Sequence, residues 1–454
     1  FLDFLRLTGA LRRLTPEAAP GPVTDEMEKV VKSIYGAQAT QGDNRMRNGS
    51  MIPLKASGRQ GYDSRLKNYM PELGVSFPVN LAPGTSLVST ISNPVMKTDH
   101  LFIQRMWRTE KQGNHVLKAA AVLTVLGEAP AADAFRPPYA GVTKPIYRFS
   151  QADASRLRDL PPPENMPAWQ EFERYLQRPW LDHMSSWLHQ MLGPNENQVN
   201  YGREFARITG MAALMLNTDS PLERKKPLII GLTQLGIDLK GVVDAGRTYY
   251  ADGGHYSGRK FPILFAGAML DDPEMLNPTG LSSFAEDIQT YYGKGWAGQK
   301  ALFQIGTHTG PKPPHEHKTP DTWDSNNKRA EGYRGVNGTA WPATALALRL
   351  MGLVREWNHD AFLDYNDRWM SVEDPYTENR KAVAGGQFVR NKAEGRTFDA
   401  FTDEMWRLYR LRAAPPDWAG NCRKWVWIEG RKGEWQPNPK PGEPAETYVP
   451  PRHR

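Results

Sequence analysis

The stretch Lys226–Val243, KPLIIGLTQLGIDLKGVV, carries leucine, isoleucine and valine on more than one side of a helix. A helix that is apolar around most of its circumference has to be covered by other elements on more than one face. That requirement predicts helix packed on helix and points to a mainly α protein. Just upstream, Ser220, Pro221, Leu222 and Glu223 have the spacing of a capping box with proline at the first helical position.

Helical spacing continues on both sides of this stretch. Ala168–Leu192 places Trp169, Phe172, Tyr175, Leu176, Trp180, Met184, Trp187 and Met191 mostly three or four residues apart. Tyr201–Leu216 predicts a second helix, ahead of the one quoted. Further helices are expected over Gly258–Leu270, over Thr339–Val354 with Pro342 near its start, from Asn358 or His359 to Met370, and over Phe398–Leu411. Lys294–Asn337 is a long polar segment read as a loop, and loops of that length in a compact domain are usually functional or disordered. No βα alternation is visible, which argues against a doubly wound sheet or a TIM barrel. Antiparallel helices joined by alternately short and long connections predict helical hairpins arranged as an (α/α) toroid, an incomplete barrel.

The N-terminal part differs. Between Pro20 and Arg136 the apolar runs Ser86–Ser92, His100–Trp107 and His115–Leu126 are partly alternating and β-branched, with turn residues between them, which predicts a small β-rich module. Arg45, Arg47, Lys55 and Arg59 cluster on a turn-rich stretch that reads as a solvated loop. Proline-dense connectors at Phe135–Pro145 and Arg158–Pro167 lead from the module into the helices. The expected organisation is an N-terminal β-rich part over residues 1–136, a toroid over 137–412, and a Pro/Trp-rich tail over 413–454 packed on the surface.

Composition narrows the function. Hydrophobic residues make up 39% and charged residues 24% of 454, the balance of a globular protein rather than a disordered one. The 14 Trp, 17 Tyr and 16 Phe supply core, and exposed rings also serve as stacking platforms for sugars or bases. The net charge of +7 is modest and the basic residues are dispersed, which favours a local site for an acidic ligand over a nucleic-acid track. A single cysteine, Cys422, rules out an intramolecular disulfide and a cysteine-based zinc site, and it reads as an inert structural thiol. No run approaches the ~18 apolar residues of a membrane span. The opening FLDFLRLTGALRRLTPE lacks the long apolar region and cleavage site of a signal peptide, and reads as an amphipathic segment or the remainder of a longer N-terminus.

No Walker loop, GxSxG elbow or HExxH helix is present and no dinucleotide fingerprint stands in the right context, so nucleotide and acyl-transfer chemistry are poorly supported. The most site-like stretch is Gly246–Met269, GRTYYADGGHYSGRKFPILFAGAM. Tyr249 and Tyr250 lead into a turn with Gly253, Gly254 and Gly258 that carries His255, Tyr256, Arg259 and Lys260 at a helix entrance. Histidine titrates nearest neutral pH, and glycine flanks expose it in a cleft, so His255 is read as a general base or acid. Tyr333 beside Arg334, in RAEGYRGVNGTAW with Glu331, Asn337 and Trp341, reads as a proton donor next to a cation. Asn200, Tyr201, Arg203 and Glu204 open the second helix, whose N-terminus favours anions. Asn200 as N-cap with Glu204 in the first turn explains much of that pattern. His308, His315 and His317 invite a metal reading, but Glu316 would point the other way on an extended segment, and no metal is assigned. Trp357, Tyr365 and Trp369 fall on helical spacing and read as core. Trp107, Trp323 and Trp341, near loops, read as better sugar platforms.

Together YADGGH, GRKFPILFAG, the YGRE helix start and the YRGVNG loop resemble the α/α-toroid polysaccharide lyases, most nearly polysaccharide lyase family 38, over roughly Phe135–Arg412. That resemblance implies β-elimination on a uronic-acid polymer of the alginate or glucuronan type, with no cofactor. It implies His255 and Tyr333 as base and acid in either order. Arg334, Arg259, Asn200 and Glu204 would neutralise and orient the uronate carboxylate, with Tyr201, Arg203, Tyr249, Tyr256, Asn337 and Trp341 also against the substrate. A secreted or periplasmic location follows from that function alone. The sequence departs from the usual toroid lyases in lacking a clear Asn-His-Tyr signature and in carrying its β-rich part at the N-terminus. Two alternatives stand beside this reading. One is a toroid glycoside hydrolase pairing Asp244 or Asp252 with Glu204 or Glu331, and the other is a glycan-binding protein without catalysis.

Overall fold

The computed structural model describes residues 22–23, 47–66, 68–97, 115–184, 192–199, 201–296, 299–306, 315–371, 397–410, 423–426 and 434–437. The chain is mainly helical, with a small antiparallel sheet in its N-terminal part. That sheet has the order β1 (Ser50–Met51), β2 (Ser86–Lys97), β3 (His115–Thr124). β2 and β3 pair with Ser89 opposite Ala121, and the register shifts after Ile91. Two of the three β runs expected from sequence are these strands, and His100–Trp107 lies outside the described residues. Val88, Val116, Ala120 and Val122 enter the same continuous core as Phe172, Leu228 and Leu346 of the helices. Sheet and helices therefore share one hydrophobic interior.

The helices that position the site are α1 (Trp169–Leu176), α2 (Gly202–Leu216), α3 (Leu222–Asp244) and α4 (Lys260–Leu270). A short α5 (Ala285–Gln289) feeds a hairpin of β4 (Thr290–Tyr292) and β5 (Ala301–Phe303). There follow α6 (Ser325–Gly338), α7 (Pro342–Leu350), α8 (Asp360–Ser371) and α9 (Ala400–Tyr409). α3 packs along α4, and α2 packs along α7. No helix among the described residues is long and apolar enough to cross a membrane.

Three local expectations are corrected. α1 ends at Leu176 rather than running on through Met184, because Pro179 disfavours helical geometry at the residue before it. The carbonyl freed at Tyr175 accepts from Trp180 Nε1 at 2.7 Å and from Asn197 Nδ2 at 3.1 Å. α3 begins one residue after Pro221, which occupies the N-cap position and supplies no side-chain cap, so the capping box of Ser220 and Glu223 does not form. The polar segment Lys294–Asn337 is not one loop. It holds β5 and the fourteen-residue α6, whose N-cap Asp324 accepts from the Asn327 amide at 2.8 Å.

Candidate active site

The turn from Arg247 to Arg259 is wedged between the N-terminus of α2 and the side of α6. Gly253 adopts φ +62° and Gly258 φ +90°, a region that costs a side-chain-bearing residue about 1 kcal/mol or more. Space imposes the same choice: a Cβ on Gly258 would lie 2.2 Å from the Ala206 amide nitrogen, and one on Gly253 would lie 2.4 Å from Cε1 of Tyr333. From the other side, a Cβ on Gly254 would lie 2.6 Å from the Tyr201 hydroxyl. The Gly253 carbonyl is held twice, by Asn337 Nδ2 at 3.0 Å and by Gln289 Nε2 at 2.5 Å. Two motifs far apart in sequence thus meet backbone against ring.

His255 projects from this turn partly buried, edge-on to the Tyr201 ring with centroids 5.0 Å apart. Burial, reinforced by the charges of Arg259 and Arg329, holds its imidazole down at about 4, so it is neutral at pH 7. Tyr201 is buried, and that burial pushes its phenol well above the ordinary range, with the Tyr333 phenol acting in the same direction. Tyr333 is partly exposed, and the exposed Arg329 guanidinium lies 5.7 Å from its ring centroid. Arg329 and Tyr333 are one helical turn apart on α6, so they share a face. Asp252 is partly exposed nearby, and its charge acts on both Tyr201 and Tyr256. A neutral proton acceptor, a phenol and a cation thus share one patch.

The other candidates serve the architecture around this patch. Arg259 is fully buried, with Nε and Nη2 on Asp182 at 2.9 and 3.1 Å. Its Nη1 donates to the carbonyls of His255 and Ser257 at 3.0 and 2.8 Å, so it clamps the turn from beneath. Arg334 is also fully buried, forked onto Glu331 at 2.7 and 2.9 Å on the side of α6 away from solvent. Glu331 in turn bonds His315 Nε2 at 2.9 Å, and Glu316 pairs with Arg368 at 2.5 Å. Arg203 and Glu204 are buried and paired with each other, and Arg207 holds the second carboxylate oxygen at 2.7 Å. Tyr249 is buried and stacked on Phe284, and Tyr256 lies buried under the partly exposed Tyr250. Asn337 is fully buried and acts on the Gly253 carbonyl. Asn200 and His308 lie outside the described residues.

Trp341 and Trp323, expected as sugar platforms, are core instead. The Trp341 indole donates to Ser257 Oγ at 2.6 Å, and that of Trp323 donates to the carbonyls of His315 and Lys318. Trp107 and Cys422 lie outside the described residues. His317 donates from Nδ1 to the Lys294 carbonyl at 2.7 Å and meets the Tyr291 hydroxyl at 3.1 Å through Nε2, so it turns away from His315. Among the described residues, no three His, Cys, Asp or Glu side chains group as a metal site.

Arg329 is the site residue that sequence reading missed. Its signal was the four-residue spacing to Tyr333, which has meaning only once that segment is recognised as helix. Compared with known proteins, the chain matches no family model, and it has no match among curated proteins or solved structures.

Proposed function

We propose that this protein is a polysaccharide lyase that cleaves a uronic-acid polymer of the alginate or glucuronan type by β-elimination. Its helices would then form a toroid of hairpins over residues 137–412 beside the β-rich part over 1–136, and the expected surface packing of the tail over 413–454 lies largely outside the described residues. The observation that carries the reading is the seating of the His255 turn on Tyr333, with Arg329 acting on both. Such an enzyme would work on exported or periplasmic substrate.

Elimination needs three things at one carbon pair. The uronate carboxylate must be neutralised so that the C5 proton becomes acidic, and the exposed Arg329 is the cation beside the patch. His255 takes that proton because its imidazole is neutral at working pH. As the C5–H bond breaks, its electrons form the C4–C5 double bond and the C4–O bond leaves. Tyr333 delivers a proton to the departing oxygen. A bound uronate also brings negative charge towards His255, which favours the imidazolium as the proton arrives. Tyr201, kept protonated by burial, orients the imidazole edge-on.

The hydrolase alternative needs two carboxylates facing a cleft, one of them holding a proton. Glu204 and Glu331 are each committed to buried arginines, which hold both carboxyls below the usual range. Asp244 pairs with Lys240 at 2.7 Å. These commitments favour elimination, and the burial of Trp323 and Trp341 removes two of the platforms that a purely binding protein would use.

The test is the ultraviolet absorbance of the unsaturated uronate released from alginate, glucuronan and glycosaminoglycans. Absorbance growth that is lost in Tyr333→Phe is expected. Silence on every uronate polymer, with reducing ends released from a neutral glycan, would overturn the reading in favour of hydrolysis.

A further inference from the structure

Beneath Tyr256 lies a buried cluster that the elimination does not use. Arg247 is 3% exposed, with its guanidinium carbon 5.0 Å from the Tyr249 ring centroid and 4.8 Å from that of Tyr256. Nη1 donates to the neighbouring Thr248 carbonyl at 3.1 Å. Among the described residues, Nε and Nη2 are buried without a hydrogen bond of ordinary geometry, and the Tyr256 hydroxyl is the neutral side-chain group that acts on the guanidinium. These two nitrogens form the side-on edge of the guanidinium, the edge whose parallel N–H bonds match the two oxygens of a carboxylate.

The charge count is uneven as well. Asp182 is the carboxylate whose charge acts on Arg247, and both of its oxygens are already taken by Arg259. Two guanidiniums therefore share one carboxylate. His183, the next residue, is fully buried and contributes no charge at pH 7, since burial holds its imidazole at about 4. Its Nε2 lies 3.4 Å from the Tyr62 hydroxyl, while its Nδ1 is buried without a hydrogen-bond partner among the described residues. The faces of Tyr249 and Tyr256 attract the cation, and the Tyr256 hydroxyl is a neutral acceptor that leaves the charge of the guanidinium edge uncompensated. A buried cation with an open fork is costly unless an anion completes it.

We infer that the open Nε–Nη2 edge of Arg247, beside His183, is a binding site for a small monovalent anion, with a carboxylate as the best-matched occupant. The site lies one side-chain layer under the surface, since the partly exposed Tyr250 covers Tyr256 with ring centroids 5.3 Å apart. Because Arg259 joins Asp182 to the His255 carbonyl, an anion here also steadies the turn that carries His255. The inference does not depend on the lyase reading, and its test uses no polymer.

The experiment is thermal unfolding of the whole protein against formate, acetate, chloride and sulfate at constant ionic strength, with free glucuronate as a further arm. A ligand bound only by the folded state raises the unfolding midpoint saturably, by roughly 2 to 5 °C at high occupancy. Formate is expected to do so in wild type and to lose the effect in Arg247→Met. Glucuronate matching formate would assign the carboxylate to a substrate, whereas formate acting alone would assign it to a free anion. An equal shift in wild type and Arg247→Met would overturn the inference, as would no saturable shift with any of these anions. Should Arg247→Met fail to fold, bromide soaked into crystals of wild type gives a second reading. An anomalous peak against Arg247 Nε and Nη2 supports the site, and its absence at saturating bromide overturns it.

Discussion

Gly253 and Tyr333 are in contact so close that a single methyl group would not fit: a Cβ on the glycine would lie 2.4 Å from Cε1 of the tyrosine. Space and backbone both enforce glycine there, because φ is +62°. Gly84 supplies the control, with φ +83° and nothing within 4 Å of an added Cβ. Gly84→Ala is therefore expected to cost only the backbone strain, about 1 kcal/mol. Gly253→Ala is expected to cost about 2 to 4 kcal/mol, the strain plus a displaced ring, and to lower turnover as Tyr333 moves. Urea denaturation at constant slope measures both variants. Equal costs at the two positions would show that the turn does not depend on Tyr333.

The pH profile reports on His255. Its imidazole is held at about 4 by burial and by Arg259 and Arg329, so the neutral form persists well below the usual histidine range. If His255 is the base, kcat/KM on a uronate polymer should fall only as pH drops through about 4, rather than through ~6.5. Arg329→Gln removes one of the depressing charges, so the acid limb should move upward while KM rises. His255→Gln should lower kcat by roughly 10²- to 10⁴-fold with the fold intact. A wild-type acid limb near 6.5, unmoved by Arg329→Gln, would remove His255 from the chemistry.

Arg334 and Tyr333 are adjacent in sequence and should behave in opposite ways. Arg334 is locked with Glu331 and His315 in the interior, whereas Tyr333 faces the patch. Removing one partner of a buried ion pair strands the other charge, so Glu331→Gln is expected to cost about 3 to 5 kcal/mol of stability. Tyr333→Phe should change stability by less than about 1 kcal/mol and abolish most turnover. Denaturation curves and the ultraviolet assay on the same two variants separate the roles. An Arg334→Lys variant that folds normally but loses turnover alone would return Arg334 to the site.

These contrasts also show where the sequence was readable. The apolar helices α2, α3, α4 and α7 could be read because leucine, isoleucine and alanine recur at helical spacing and bury accordingly. α6 could not, since its buried face is made of Asn327, Ala330, Glu331, Arg334, Val336 and Asn337. A helix that hides an ion-pair network has almost no apolar stripe, so periodicity passes over it. The same blindness merged Arg334 with Tyr333 as one motif and hid Arg329, because faces can be assigned only after the helix is known. The glycine turn was legible for the opposite reason. Three glycines in six positions mark a close approach, although not which ring approaches.

Buried His183 gives the protein an acid sensitivity of defined sign. Burial holds its folded-state pKa at about 4, below the ~6.5 of an unfolded histidine. A depressed pKa means that the folded state prefers the neutral form, so this contribution to stability is complete above ~6.5 and is lost as pH falls through about 4. Asp287 and Asp364 act in the other direction. Burial raises both to about 6, so their contribution is present at low pH and fades as pH rises through that value. Whole-protein stability mixes these trends, and the comparison of wild type with His183→Gln isolates one of them. Between pH 7 and pH ~4.5 the stability of wild type relative to the variant should fall by roughly 2 to 3 kcal/mol, read from urea midpoints at the two pH values. A difference that stays constant across that interval would mean that His183 is not held neutral in the folded protein.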